Sequence, residues 1–218
     1  MTLATHHHLF LAGDGNSVAA VPGQRTLLLL HGTGGDETSL VKLGRMLDAG
    51  ANVLAVRGNV MEGPMPRFFR RLGEGVFDTP DMIARAHALA DWLEAAQQQY
   101  GISPASLVAV GYSNGANIAA AMMYLRPQAL RHAVLLRAMS VFRTREHPAP
   151  QADLSHARVL LASGRNDPIT PARDAQGLAL SLQERGANVT LTLDDGDHAL
   201  TQQAVTAARD FVLATPLA

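Results

Sequence analysis

The sequence predicts an α/β fold with a mostly parallel central sheet and helices on both of its faces. Short apolar runs alternate along the chain with longer segments whose apolar residues recur at helical spacing. The runs contain few polar residues, as expected of strands that are covered on both faces. Such strands are predicted at residues 26–30, 52–56, 107–112, 133–136, 158–162 and 189–193.

The predicted helices have recognisable ends. Thr79 precedes a proline, which predicts a helix that starts there with the threonine hydroxyl as its cap. Thr170 also precedes a proline and predicts a second helix of this kind, which Gly186 is expected to end. A last amphipathic helix is expected over residues 199–213.

Composition bounds the class of protein. A chain of 218 residues with 47% hydrophobic content fits one domain over residues 1–218 with a continuous core. A formal charge of −1 favours neither nucleic acid nor an anionic membrane as partner. Cysteine is absent, which excludes disulfides and a thiol nucleophile. Neither a secretory signal nor a membrane span is recognised, so a cytoplasmic location is expected.

Three consecutive histidines, His6, His7 and His8, raise the question of a metal site. Alternate side chains of an extended strand point to opposite faces, so the three rings cannot meet on one ion there. The prediction is an exposed strand edge near the N-terminus, with no metal.

The strongest chemical signal is the G-x-S-x-G motif that contains Ser113. An apolar strand precedes it and a helix-compatible run follows, which is the context that places a nucleophilic serine on a tight strand-to-helix turn. Gly111 and Gly115 leave room for the backbone to approach closely. Ser113 is therefore the candidate nucleophile.

A nucleophilic serine needs a base, which in this arrangement follows it in the chain. His198 lies in a loop after a late strand and before the last helix, at the sheet edge predicted for Ser113. The other downstream histidines are His132, at the start of a strand, and His147 and His156, in a proline-containing connection. His198 is the predicted base.

An acid that orients the base is expected between the serine and the histidine. Asp167 follows a buried strand at the same sheet edge, and Pro168 stiffens its loop. Asp167 is favoured as the acid. The alternatives are Asp153, Asp194, Asp195 and Asp197.

The loop after the first buried strand is rich in glycine and predicts half of an oxyanion hole. The backbone N–H groups of Thr33 and Asn114 are the expected donors. The alternative is a phosphate-binding loop, but the sequence lacks both common phosphate-binding patterns. His31 is expected to brace this loop through hydrogen bonds.

Residues 57–78 interrupt the alternation and are predicted to form a short segment that covers the pocket. Arg57 or Arg67 could bind a carboxylate of the substrate, with Phe68 or Phe69 against an aryl or acyl group. Alternatively, both phenylalanines belong to the core and the arginines are solvated or paired. The phenylalanines are individually favoured as core residues.

Together these motifs resemble the phospholipase/carboxylesterase family of α/β hydrolases, which includes acyl-protein-thioesterase-like members. The resemblance extends from about Leu27 to the last helix and is nearest to a bacterial subgroup associated with hydroquinone and catechol resistance. It is carried by Leu30-His31-Gly32-Thr33-Gly34-Gly35-Asp36, Gly111-Tyr112-Ser113-Asn114-Gly115, Asn166-Asp167-Pro168, Gly196-Asp197-His198, Arg57-Gly58-Asn59-Val60 and Met65-Pro66-Arg67-Phe68-Phe69-Arg70-Arg71.

The resemblance implies the α/β-hydrolase fold, the triad of Ser113, Asp167 and His198, and an ester or thioester substrate. The chain departs from the family pattern at Arg137, where a His-Pro-like pair would be expected. The leading hypothesis is a cofactor-free esterase whose partner is a small-molecule ester, with a homodimer left open. The alternatives are a thioesterase or lysophospholipase and a small-molecule-binding protein without turnover.

Overall fold

A computed structural model describes residues 3–142 and 149–217 of the chain. The strands are β1 (His8–Leu11), β2 (Thr26–Leu30), β3 (Asn52–Val56), β4 (Val60–Glu62), β5 (Met65–Arg67), β6 (Arg71–Gly73), β7 (Val76–Phe77), β8 (Leu107–Tyr112), β9 (His132–Leu136), β10 (Arg158–Gly164) and β11 (Asn188–Asp194). The helices are α1 (Val41–Leu47), α2 (Thr79–Tyr100), α3 (Asn114–Leu125), α4 (Ala172–Gln183) and α5 (Gln202–Leu213), and a 3-10 turn covers Leu3–Thr5.

The central sheet has seven strands in the order β1-β3-β2-β8-β9-β10-β11. Six of these strands run parallel to one another, namely β2, β3, β8, β9, β10 and β11. Strand β1 pairs antiparallel with β3 at one edge. Helices α2, α3 and α4 pack on one face, and α1 and α5 pack on the other. The predicted α/β fold with a mostly parallel sheet is confirmed, and each strand predicted from the apolar runs is present within a residue or two at either end.

Two predicted helix caps are wrong. The first helical residue of α2 is Thr79, but the cap is Asp78, whose carboxylate accepts a hydrogen bond from the N–H of Asp81. An aspartate one residue earlier already satisfies the free amide, so the threonine hydroxyl has no capping role. Helix α4 begins at Ala172 without a side-chain cap. The hydroxyl of Thr170 instead donates to the carbonyl oxygen of Arg137.

Between β3 and α2 the chain forms two short antiparallel hairpins, β4-β5 and β6-β7. They lie outside the central sheet and occupy the segment that the sequence singled out as residues 57–78.

Helix α5 begins at Gln202 and is capped by Thr201. This start is later than predicted, because the preceding residues form the loop that contains His198.

His6 and His8 pack against α2 while His7 is exposed, so the prediction of an exposed strand edge is wrong for His6. Its ring lies 5.5 Å from that of Trp92, and burial lowers the pKa of His6 to about 4. His8 begins β1, and its Nε2 lies 2.8 Å from the hydroxyl oxygen of Tyr100.

Residues 3–142 and 149–217 contain no group of three or more His, Cys, Asp or Glu side chains that could hold a metal ion. No helix within these ranges is long and apolar enough to cross a membrane.

Candidate active site

Ser113 lies on the tight turn between β8 and α3. Its backbone is strained, with φ 51° and ψ −114°, and its N–H donates to the carbonyl oxygen of Leu136 at 2.9 Å. A Cβ on Gly115 would lie 2.0 Å from the carbonyl oxygen of Leu30, and one on Gly111 would lie 2.6 Å from the Cα of Ala116. The two glycines of the motif are therefore required for the turn that presents the serine.

The three residues of the predicted triad lie in one hydrogen-bonded chain. The Nε2 atom of His198 is 2.9 Å from the Oγ of Ser113, and its Nδ1 is 2.8 Å from the Oδ2 of Asp167. Since the ionised carboxylate only accepts, Nδ1 carries the proton and Nε2 faces the serine hydroxyl with its lone pair. The arrangement can take a proton from Ser113.

Backbone groups hold the members of this chain in place. The Asp167 carboxylate is buried, and its Oδ1 accepts hydrogen bonds from the N–H groups of Ile169 and Thr170 at 2.8 and 2.9 Å. The hydroxyl of Tyr112 donates to the carbonyl oxygen of His198 at 2.9 Å. Both oxygens of the Asp167 carboxylate therefore accept hydrogen bonds, which fixes the orientation of this side chain.

The competing histidines lie elsewhere or fall outside the described residues. His132 begins β9, at the opposite end of the sheet from Ser113. The Nε2 of His156 is 2.8 Å from the carbonyl oxygen of Pro127. His147 lies outside the described residues.

The competing aspartates have other partners. Asp194 pairs with Arg137, and the largely exposed Asp195 pairs with Arg165 at 3.3 Å. The carboxylates of Asp153 and Asp197 accept backbone N–H groups two residues further along the chain. Among the described candidates, the structure brings Asp167 and His198 together with Ser113.

The loop after β2 passes close to the serine. A Cβ on Gly32 would lie 3.6 Å from the Cβ of Ser113, and Thr33 and Asn114 both line the cleft beside it. His31 braces this loop: its Nδ1 is 2.6 Å from the carbonyl oxygen of Gly32, and its Nε2 accepts from the N–H of Gly58 at 2.9 Å. Burial lowers the pKa of His31, which keeps Nε2 available as an acceptor.

The cleft at Ser113 is small, with a volume of about 40 Å³. The second hairpin, the first turn of α3 and the loops after β2, β9 and β10 contribute its walls. Apolar side chains from three of these elements, Phe77, Met139 and Ile169, stand beside the polar groups. The cleft therefore combines an apolar wall with several hydrogen-bond donors.

The structure separates the four candidate substrate-binding residues. Phe68 and Phe69 are buried in the core, as the sequence favoured for each of them. Arg57 forms a two-fold hydrogen-bonded ion pair with Glu37, at 2.5 and 2.8 Å, and does not line the cleft. Arg67 does line the cleft, although it is 97% buried.

Arg67 is held on three sides. Its Nη1 donates to the Oγ1 of Thr33 at 2.5 Å and its Nε donates to the carbonyl oxygen of Phe69 at 3.1 Å, while Glu62 lies 3.4 Å away. Burial lowers the pKa of Arg67, and the neighbouring Arg71 lowers it further. A buried guanidinium beside the serine is a suitable partner for a substrate carboxylate or carbonyl oxygen.

Sequence reasoning did not single out several lining residues. Asn117 lies one helical turn after Asn114, and its Oδ1 accepts the N–H of Met139 at 2.8 Å. The i, i+3 spacing of the two asparagines on a helix that follows the serine could have indicated Asn117. Phe77 and Arg71 come from the second hairpin and had no comparable signal.

The sheet, the strand-to-helix serine turn and the chain order Ser113, Asp167, His198 define an α/β hydrolase. No protein-family model matches the chain. The chain is 38% identical over 204 residues to MhqD, a proposed hydrolase of Bacillus subtilis (strain 168). The aligned residues make up 94% of this chain and 96% of MhqD. It thus belongs to the phospholipase/carboxylesterase family of α/β hydrolases.

Solved structures agree with this assignment. A carboxylesterase from Bacillus cereus is 40% identical with a TM-score of 0.88, and the match covers 97% of this chain and 95% of the other. A protein named YahD, solved with malic acid, is 27% identical with a TM-score of 0.81, over 97% of this chain and 100% of YahD.

Proposed function

We propose that this protein is a serine carboxylesterase that cleaves small carboxylic esters through an acyl-enzyme intermediate. The observation that carries the proposal is the continuous chain from Asp167 through His198 to Ser113, with distances of 2.8 and 2.9 Å. Membership of a family that contains carboxylesterases supports the choice of an ester as substrate.

In the first half-reaction the Oγ of Ser113 attacks the ester carbonyl carbon while Nε2 of His198 takes the hydroxyl proton. The negative Asp167 stabilises the imidazolium, and the N–H groups of Thr33 and Asn114 donate to the carbonyl oxygen as it becomes an oxyanion. His198 then protonates the leaving alcohol, and the C–O bond of the ester breaks.

In the second half-reaction a water molecule attacks the acyl group on Ser113. His198 takes a proton from this water and returns it to the serine oxygen, which releases the carboxylic acid. Each proton transfer uses a group of the chain, so chelators are expected to leave the rate unchanged.

The cleft suggests the kind of acyl group. Its small volume favours compact groups, and residues 57–78 act as its cover through the second hairpin. Arg67 is positioned to bind a carboxylate or carbonyl oxygen at the far end of a substrate. The presence of malic acid in the YahD structure supports a preference for esters that carry a carboxylate.

A fluorophosphonate probe and a series of p-nitrophenyl esters test the proposal. The wild-type protein should be labelled and should hydrolyse short esters, while Ser113→Ala should lose both, with activity down about 10⁶-fold. Ser106→Ala is the control, because Ser106 is a buried serine next to the start of β8, at the end of that strand away from Ser113.

Absence of both labelling and ester turnover would favour a binding protein on this fold. Best activity on long-chain thioesters or lysophospholipids would favour a thioesterase or lysophospholipase. A fully active Ser113→Ala variant would contradict the whole mechanism.

A further inference from the structure

The end of β9 carries an unusual arginine. Among residues 3–142 and 149–217, Ser113 and Arg137 are the non-glycine residues with positive φ, at 51° and 56°. Such conformations persist where surrounding contacts enforce them, and they concentrate at functional sites. Arg137 does not line the cleft, so any contribution to the reaction must pass through other residues.

The guanidinium of Arg137 is completely buried and binds the loop that contains His198. It forms hydrogen bonds of 3.1 Å to both carboxylate oxygens of Asp194, at the end of β11. Its Nη2 also donates to the carbonyl oxygen of Ala199 at 2.7 Å. One side chain thus holds the residue that follows His198 and the strand that precedes it.

Asp194 extends this contact to the rest of the loop. Its carboxylate accepts the N–H of Gly196 at 2.9 Å and the hydroxyl of Thr201 at 2.7 Å. Burial alone would raise the pKa of Asp194, but the hydrogen bonds from Arg137, Thr201 and Gly196 outweigh it and lower the pKa. These contacts favour the charged form of Asp194, and together with Arg137 it holds both ends of the loop.

The backbone at the same point contacts the two other catalytic segments. The carbonyl oxygen of Leu136 accepts the N–H of Ser113 at 2.9 Å. The carbonyl oxygen of Arg137 accepts the hydroxyl of Thr170 at 3.3 Å, and the N–H of Thr170 donates to Asp167. Residues 136–137 thus touch the segments of the nucleophile, the acid and the base.

We propose that Arg137 is a positioning residue that holds the imidazole of His198 within hydrogen-bond distance of both Ser113 and Asp167. It acts through the ion pair with Asp194 and the bond to the carbonyl of Ala199, and it does not touch the substrate. This inference rests on the proposed esterase function. Arginine suits the role because its planar fork satisfies two carboxylate oxygens and a carbonyl oxygen at once.

The test compares Arg137→Met and Arg137→Lys by the kcat and KM of p-nitrophenyl acetate hydrolysis. Arg137→Met should lower kcat by about 10²-fold with little change in KM, because a misplaced base slows the chemistry without altering the cleft. Arg137→Lys keeps the charge and should recover part of the loss. If Arg137→Met does not fold because Asp194 is left unpaired, Arg137→Lys decides alone, with a reduced kcat as the expected result.

Arg25→Met is the matched control. Arg25 pairs with Asp48 at 3.2 Å and donates to the carbonyl oxygens of Leu213 and Thr215, at 2.7 and 2.9 Å. It precedes β2, at the sheet edge opposite Ser113. It therefore resembles Arg137 in its contacts but not in its location, and its loss should leave kcat unchanged in the folded protein.

Repeating the Arg137→Met change in a His198→Ala variant distinguishes positioning of His198 from a general loss of structure. In His198→Ala protein the further change Arg137→Met should leave the residual rate unchanged, because the residue through which it acts is gone. An equal loss in both backgrounds would overturn the inference, and so would wild-type kcat in a folded Arg137 variant. If the wild-type protein neither hydrolyses esters nor reacts with the fluorophosphonate, the proposed function itself fails.

Discussion

The loops after β8 and β10 and the double hairpin between β3 and α2 border the same cleft, and the loop after β11 places His198 beside Ser113. Different forces hold these loops and the hairpins. Short hydrogen bonds to backbone groups fix the triad side chains, as at Asp167. The hairpins are anchored by buried aromatic rings, with Phe69 edge-on to Phe77 at 5.1 Å, and by partly exposed ion pairs such as Arg71 with Glu62.

The contrast separates two tasks. Hydrogen bonds near 2.8 Å fix an atom closely, which acid–base chemistry requires. Aromatic packing tolerates substitutions that conserve side-chain volume, and exposed ion pairs contribute little to stability, so the hairpin sequence can vary while the hairpins keep their place. We therefore expect the triad loops to govern the rate of the chemical step and the hairpins to govern which substrate reaches it.

The largest expected effect is on the triad side. Asp167→Asn should lower kcat by about 10⁴-fold, because the amide disturbs the tautomer and orientation of His198. Asp195→Asn is the control, since Asp195 lies in the His198 loop but is exposed. The measurement is kcat for hydrolysis of a p-nitrophenyl ester. A kcat of Asp167→Asn close to that of the wild type would show that the acid is another residue.

The next effect is on stability and belongs to the hairpins. Phe69→Ala should lower the free energy of unfolding by about 3–5 kcal/mol, because it leaves a cavity where a fully buried ring packs. Leu72→Ala, in the same segment but 74% exposed, should change it by less than about 0.5 kcal/mol. Urea unfolding measures both. Equal values would mean that the hairpins are not anchored by aromatic burial.

A smaller effect concerns the two arginines. Arg67→Ala should weaken hydrolysis of acidic esters relative to neutral ones by about 1.5–3 kcal/mol, the value of a lost charged hydrogen bond. Arg57→Ala should change the ratio little, because Arg57 is paired with Glu37 outside the cleft. The measurement is kcat/KM on p-nitrophenyl acetate and on a p-nitrophenyl monoester of a dicarboxylic acid. An unchanged ratio for Arg67→Ala would assign this arginine a structural role.

The smallest expected effect concerns acyl chain length. Each methylene buried in the cleft should add about 0.8 kcal/mol of binding until the cleft is full. Since the cleft is small, kcat/KM on p-nitrophenyl esters should peak at short acyl chains and then decline. A rate that continues to rise to long chains would show that the hairpins open to admit them.

The same contrast explains what could be predicted from the sequence. Buried parallel strands and the serine turn have local patterns, so the strands and the residues Ser113, Asp167 and His198 could be singled out before their distances were known. Their proximity follows from parallel strands, whose carboxyl ends meet at one sheet edge. The hairpins consist of strands of two or three residues, too short for a periodic pattern.

Other features depend on contacts between distant parts of the chain. The pair of Arg137 and Asp194 joins residues 57 positions apart, and neither residue has a local sign of its partner. Arg57 and Arg67 look alike in the sequence, yet one meets Glu37 on the surface and the other is buried beside Thr33. Only the tertiary arrangement distinguishes them.

The position of His198 late in the chain has a consequence for biosynthesis. Strands β8, β9, β10 and β11 lie side by side in the sheet in the order in which they are synthesised, and the candidate base follows the last of them, 85 residues after Ser113. Domains fold as the chain emerges from the ribosome, N-terminal parts first. An unfinished chain therefore carries the candidate nucleophile without its base, and a product truncated before β11 is expected to lack the proposed esterase activity.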